Sequence, residues 1–156
     1  MFSTPSDLPE ASRAELIAAL GASVLDGIDL YTQIKVAHWN VRGAHFLQIH
    51  ELFDAVAGRV LGYVDDLAER AVTLGGRAPG TARQVAHGSR LSESPVVAKD
   101  LELVAIVIER ADQFTRGLRA VRDLADKHDD ADTDDLLTGV IRALEKDGWF
   151  LRAHLG

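Results

Sequence analysis

Four long stretches of this chain carry apolar residues at helical spacing, and this pattern constrains the fold more than any other feature. In the first stretch, Leu16, Leu20 and Val24 recur at four-residue steps, as on the buried face of a helix that should end near Asn40. The other stretches are Phe46 to Leu74, Leu101 to Val121, and Leu136 to Leu155. No segment alternates as a half-buried strand does. The pattern predicts an all-α protein in which residues 1–156 form a single domain, a four-helix bundle.

The connections predict how the helices are arranged. Residues 40–43 interrupt the apolar pattern only briefly, which predicts that the first two helices are antiparallel neighbours. Residues 75–95 are rich in glycine and proline and predict a long crossover that can carry a short helix of its own. Residues 123–135 hold seven aspartates and predict an acidic turn between the third and fourth helices.

Composition narrows the classes of function. The chain is 47% hydrophobic but lacks the run of about 20 apolar residues that a membrane span needs. Its polar start, residues 1–10, has no signal-peptide pattern, so we expect a cytoplasmic protein. With no cysteine, any metal site must use His, Asp and Glu. The formal charge of −7 disfavours nucleic acid and anionic membranes and favours cations as partners.

Four potential metal ligands share one stripe of the second predicted helix. At about 100° per residue, His50, Asp54, Asp65 and Glu69 fall within an arc of about 100°. This stripe flanks the apolar face instead of lying opposite it, so another helix could cover it. His38, at the end of the antiparallel first helix, can join the same set.

Distance along the helix predicts that these ligands are shared between two subunits. Asp54 and Asp65 are eleven residues apart, which is about 16 Å on a straight helix and too far for one metal centre. A two-fold axis between residues 59 and 60 would pair Asp54 with Asp65 of the partner subunit, and His50 with Glu69 of the partner subunit. Two equivalent sites would result. Helical glycines near this axis, Gly58 and Gly62, would permit close backbone approach.

Each residue also has a simpler interpretation. His38 alone would be a hydrogen-bonded core histidine, His50 with Asp54 a surface pair, and Asp65 or Glu69 a solvated charge. The joint pattern favours a metal site over a metal-free structural bundle. The remaining histidines lack such company and are expected at the surface: His45, His87, His128 and His154.

A long motif with fixed spacing covers the same region. It comprises Lys35 to Gly43, then Phe46, His50, Phe53, Asp54, Asp65, Ala68-Glu69-Arg70 and Leu74-Gly75-Gly76, with Trp149-Phe150-Leu151 and Ala153-His154-Leu155 near the end. Over nearly its whole length the chain resembles the Dps family, the DNA-binding proteins from starved cells, which are miniature ferritins. A glutamate common in that family is replaced by Arg152.

The resemblance implies a ferritin-like bundle assembled from dimers into a hollow shell of twelve subunits. Fe(II) is the substrate, hydrogen peroxide the usual oxidant, and ferric mineral the stored product. By motif position, His38, His50 and Asp54 from one subunit and Asp65 and Glu69 from its partner match the family's di-iron ferroxidase ligands.

Two further expectations concern the acidic segment and DNA. We expect Asp126, Asp130 and Asp135 to line an iron entry path, the alternative being a solvated acidic turn. Despite the family's name, we expect weak or absent DNA binding, because the first 34 residues contain no lysine and only Arg13. The alternative function is a DNA-compacting, nucleoid-associated stress protein with little iron chemistry.

Overall fold

The computed structural model describes residues 1–156 and contains five helices. They are α1 (Glu10–Asn40), α2 (Phe46–Thr73), α3 (Ala82–Gly88), α4 (Asp100–Lys127) and α5 (Ala131–Arg152). The all-α bundle with a long crossover and a short crossover helix is thereby confirmed. The chain has no strand, and one isolated bridge joins Arg42 to Lys99. None of the five helices combines the length and the hydrophobicity that a membrane-spanning segment requires.

The four long helices enclose one core of 29 buried hydrophobic residues. Because α1 packs chiefly on α2 and α4 on α5, the bundle consists of two antiparallel helix pairs. Phe53 of α2 and Phe114 of α4 are among its largest fully buried side chains. The start of α4 lies at the turn between α1 and α2, because the Asp100 N–H donates to the Arg42 carbonyl. Since α5 is antiparallel to α4, the end of α5 lies at this same end of the bundle.

The acidic segment differs from the prediction, because most of it is helical. α4 continues to Lys127, and α5 begins at Ala131, five residues before the predicted Leu136. The Asp130 side chain accepts a hydrogen bond from the Thr133 backbone N–H and so caps α5. Aspartates in the first turn of α5 also suit the positive end of the helix dipole. Only residues 128–130 form the turn.

The prediction that the remaining histidines lie at the surface is wrong for His128. Its side chain is 13% exposed, and its Nε2 lies 2.9 Å from a carboxylate oxygen of Glu15. His45 is more exposed but contacts Asp100. These contacts join residues far apart in sequence, so helical spacing could not have revealed them.

Two helical glycines provide a matched test of core packing. A Cβ on Gly27 in α1 would lie 2.6 Å from Val64 Cγ2 and 3.2 Å from Phe114 Cζ, whereas a Cβ on Gly139 in α5 would meet nothing within 4 Å. We expect Gly27→Ala to lower the free energy of unfolding by about 1–3 kcal/mol through overpacking. Gly139→Ala should raise it by about 0.5–1 kcal/mol, because alanine restricts the unfolded chain. Urea denaturation at equal subunit concentration measures both, and equal effects would contradict this packing.

Candidate metal centre

Two histidines form a stacked pair where α1 ends and α2 begins. The ring centroids of His38 and His50 are 3.7 Å apart, with 20° between the planes. His38 Nδ1 lies 2.8 Å from the His50 carbonyl oxygen, and His50 Nδ1 lies 2.9 Å from the His38 carbonyl oxygen. Because a carbonyl only accepts, each Nδ1 must donate, and this fixes the proton on Nδ1. In the neutral imidazole this leaves the Nε2 lone pair free, which is the state that a metal ligand requires.

Asp54 lies one helical turn after His50, on the same face of α2, and its side chain is 60% exposed. One carboxylate oxygen is 2.5 Å from Lys35 Nζ. The hydrogen bond from Lys35 and the charge of its ammonium lower the pKa of Asp54, with smaller contributions from His38 and His50. Asp54 is therefore held ionised. The Lys35 ammonium occupies the position beside the carboxylate that a metal cation could otherwise take.

The structure does not bring Asp65 and Glu69 to the other three predicted ligands. Both are exposed on the second half of α2. Within one chain no group of three or more histidines and carboxylates is arranged to hold a metal ion. His38, His50 and Asp54 lie together, and a complete set would have to draw on a second chain. That sharing stays a prediction.

An open surface separates the two halves of the predicted ligand set. A Cβ on Gly58 or Gly62 would meet no other atom within 4 Å. These glycines line a groove of about 520 Å³ that also contains Leu61, whose side chain is 48% exposed. Packing within this chain thus gives no reason for glycine at either position.

The three aspartates of the predicted entry path have different environments. Asp126 and Asp135 are exposed, whereas Asp130 is 4% exposed. The Asp130 carboxylate accepts hydrogen bonds from Arg70 Nη2 at 2.7 Å and from the Thr133 hydroxyl. Its oxygens are used inside the chain and are therefore less available to a cation than those of the exposed Asp126 and Asp135. The entry path itself stays a prediction.

Two residues near the histidine pair, Lys35 and Asp100, are not among the ligands predicted from the sequence. Lys35 precedes His38 by three residues, so helical spacing could have indicated that it faces the site. Asp100 contacts the turn between α1 and α2 from the start of α4, and no local pattern marks that contact. Arg152, the departure from the family motif, places Nη2 2.6 Å from both carboxylate oxygens of Asp112.

Known proteins share the sequence and the fold of this chain. The model of the ferritin-like domain matches residues 17–156. A "DNA protection during starvation protein" of Agrobacterium fabrum is 35% identical over 153 residues, which is 97% of this chain and 94% of that protein. DpsC from Streptomyces coelicolor superposes with a TM-score of 0.92 at 30% identity, over 99% of this chain and 91% of that one. Dps from Microbacterium arborescens, solved "in the high iron form", gives 0.87 at 30% identity over 97% of each chain.

The fold and the matched family model define this chain as a ferritin-like protein. Its sequence is 30–35% identical to these Dps relatives over more than 90% of their length, which places it in one family of ferritin-like proteins. The chain belongs to the Dps family.

The contact of Lys35 with Asp54 generates a prediction about metal affinity. An ammonium beside the carboxylate competes with an incoming cation and repels it. We expect Lys35→Met to strengthen Co(II) binding several-fold, as measured by isothermal titration calorimetry. Lys99→Met, which removes an exposed lysine from the residue before α4, is the matched control. Weaker binding by Lys35→Met would contradict this role and make Lys35 a support for Asp54.

Proposed function

We propose that this protein oxidises Fe(II) and stores the ferric product, which protects DNA from oxidative damage. The observation that supports this most is the stacked pair of His38 and His50, with both Nε2 atoms free to bind a metal beside Asp54. The iron named for the Microbacterium arborescens relative supports the same assignment.

The proposed ligands come from two subunits. His38 and His50 supply neutral nitrogen atoms and Asp54 a charged oxygen from one chain, and Asp65 and Glu69 of the partner subunit supply further carboxylates. Carboxylates suit Fe(III), and imidazole also suits Fe(II), so the mixture permits both oxidation and release. Glu69 of the partner subunit is the proposed bridge between two irons, which in two-metal sites lie about 3.5–4 Å apart.

A site that holds two irons can reduce hydrogen peroxide by two electrons without forming hydroxyl radical. Two Fe(II) ions each give one electron to hydrogen peroxide, the O–O bond breaks, and two hydroxide ions form. A single Fe(II) would deliver one electron, and cleavage of the O–O bond would then give one hydroxide ion and one hydroxyl radical. Hydrolysis of the Fe(III) then yields ferric oxyhydroxide and releases protons.

The proposed assembly is a cytoplasmic shell of twelve subunits built from dimers. The open groove beside Gly58 and Gly62 would be covered at the two-fold contact. Asp126 and Asp135 would attract Fe(II) toward an entry path through their summed charge.

The second candidate function is DNA compaction, which would be another way to achieve the DNA protection for which the Agrobacterium fabrum relative is named. Arg77 and Arg83 are exposed in the crossover and take part in no ion pair. Arg90, however, is already bound to the buried carboxylate of Asp26 at 2.6 Å. Two free arginines give a weaker basis for a function than the histidine pair does.

Mixing two inactive variants tests the shared site. One chain carries His50→Ala with Asp54→Ala, and the other carries Asp65→Ala with Glu69→Ala. In a mixed dimer all four substitutions fall in one of the two sites. The other site receives only unsubstituted ligands from both chains. We expect each variant alone to lose Fe(II) oxidation by peroxide, followed as ferric absorbance after anaerobic loading, and the mixed dimer to regain about half of the wild-type rate.

A mixture of wild-type chains with either variant is the control for refolding. If verified mixed dimers regain no activity although this control does, the ligands do not come from two chains. If wild-type protein oxidises Fe(II) no faster than protein-free solution, the ferroxidase proposal itself fails.

DNA binding separates the two candidate functions. Because each chain carries a formal charge of −7, repulsion from phosphate should outweigh local attraction to Arg77 and Arg83. We expect no submicromolar binding of duplex DNA by fluorescence anisotropy at about 150 mM salt, where the screening length is about 8 Å. Submicromolar binding that Arg77→Ala with Arg83→Ala abolishes would instead favour the compaction function.

A further inference from the structure

Asp100, the first residue of α4, contacts the turn that joins α1 to α2. One carboxylate oxygen, Oδ2, lies 2.9 Å from the His45 backbone N and 3.0 Å from His45 Nδ1. The other oxygen accepts a hydrogen bond from the Leu101 backbone N–H at 2.9 Å. Hydrogen bonds from these two backbone groups are the main reason why the pKa of Asp100 is lowered. The carboxylate is thus ionised and fully engaged.

Backbone hydrogen bonds hold the same turn to the end of the crossover. The Arg42 N–H donates to the Ala98 carbonyl at 2.8 Å, and the Asp100 N–H donates to the Arg42 carbonyl at 2.9 Å. Gly43 has a φ of +147°, and a Cβ at that position would clash with the Asp100 carboxylate. The turn therefore requires glycine here, because the carboxylate approaches its backbone so closely.

Asp100 supplies the N-terminus of α2 with the acceptor and the charge that α2 lacks. The N-cap residue of α2 is His45, whose side chain makes no capping hydrogen bond, and the first turn of α2 holds no acidic residue. A helix start leaves backbone N–H groups unpaired and carries partial positive charge, which a nearby carboxylate stabilises. The Asp100 carboxylate acts at this point from another helix.

The position of the first turns of α2 decides whether the histidine pair forms. His50 lies five residues after His45, and its ring is held against His38 of α1 by two hydrogen bonds, each from one Nδ1 to the other residue's carbonyl. A shift of these turns relative to the end of α1 would lengthen both bonds together. The imidazoles would then lose the fixed tautomer that leaves Nε2 free.

We propose that Asp100 is a positioning residue for the metal centre, which holds the start of α2 so that His38 and His50 present both Nε2 atoms together. The inference rests on the proposed function of that site. Asp100 itself binds no metal. It acts through His45 and the turn, so its loss should weaken metal binding more than it weakens the fold.

Two substitutions at Asp100 and one matched control test this role. Asp100→Ala removes both acceptors, Asp100→Asn keeps one acceptor oxygen, and Glu102→Ala removes an exposed acid from the same first turn of α4. Loss of a residue that orients metal ligands typically costs 10–100-fold in affinity. We expect Asp100→Ala to weaken Co(II) binding and raise the half-saturating Fe(II) concentration at least 10-fold, Asp100→Asn to be intermediate, and Glu102→Ala to match wild type.

A measurement on metal-free protein makes the test independent of iron chemistry. Solid-state NMR of protein labelled with ¹⁵N-histidine distinguishes Nδ1–H from Nε2–H, with His38→Gln and His50→Gln assigning the signals. Wild type and Glu102→Ala should hold both imidazoles as Nδ1–H tautomers, whereas Asp100→Ala should give a mixture. The partly retained hydrogen bonds of Asp100→Asn keep this comparison available if Asp100→Ala fails to fold.

The outcomes separate the two proposals. If Asp100→Ala lowers the melting temperature but leaves tautomers and Co(II) affinity unchanged, Asp100 is only structural and the inference is overturned. Unchanged tautomers in Asp100→Asn overturn it in the same way if Asp100→Ala does not fold. If wild-type protein neither binds Co(II) nor oxidises Fe(II), the proposed function fails, and the tautomers still decide whether Asp100 positions the histidine pair.

Discussion

The antiparallel packing of α1 against α2 is the contact on which the rest of the structure depends. It brings the last turn of α1 beside the first turns of α2, and only there can His38 and His50 exchange hydrogen bonds. It also explains the long crossover. α2 ends at one end of the bundle and α4 begins at the other, so the chain must travel the length of a 28-residue helix, about 42 Å.

Because α2 is a straight helix, a single chain can fold without forming a complete metal site. A straight helix cannot bring Asp54 to Asp65, so a folded chain holds the histidine pair and one carboxylate but no complete metal site. Under the proposed function, the site forms only when two chains meet. The exposed Leu61 and the unfilled space beside Gly58 and Gly62 are then features of an interface that one chain cannot explain.

Periodic features of the sequence predicted most of the fold, and helical spacing predicted that His50 and Asp54 share a face of α2 and lie near His38. The spacing of apolar residues predicted the four helices, and the glycine and proline residues predicted the crossover. The start of α5 was missed because aspartate was interpreted as a turn signal, whereas Asp130 is an N-cap. Asp100 at the α1–α2 turn was missed for another reason. Its partner in that turn, His45, lies 55 residues away, and contacts of that kind have no local pattern.

Polar contacts, together with the packing of Leu91 and Val97 on the core, fix the crossover that delivers Asp100 to the turn. Arg90 binds the buried Asp26 carboxylate through its backbone N–H and two guanidinium nitrogens, and Ser94 donates a hydrogen bond to Gln33, so residues of the crossover are attached along α1. The Asp26 carboxylate is buried, whereas the Arg90 side chain is 53% exposed, so any arrangement that moves Arg90 away leaves a buried charge unpaired. The crossover is thereby held in one register along α1. Since residues 98–100 follow directly and bind Arg42 and His45, the arrangement of the imidazoles depends on side chains well outside the site.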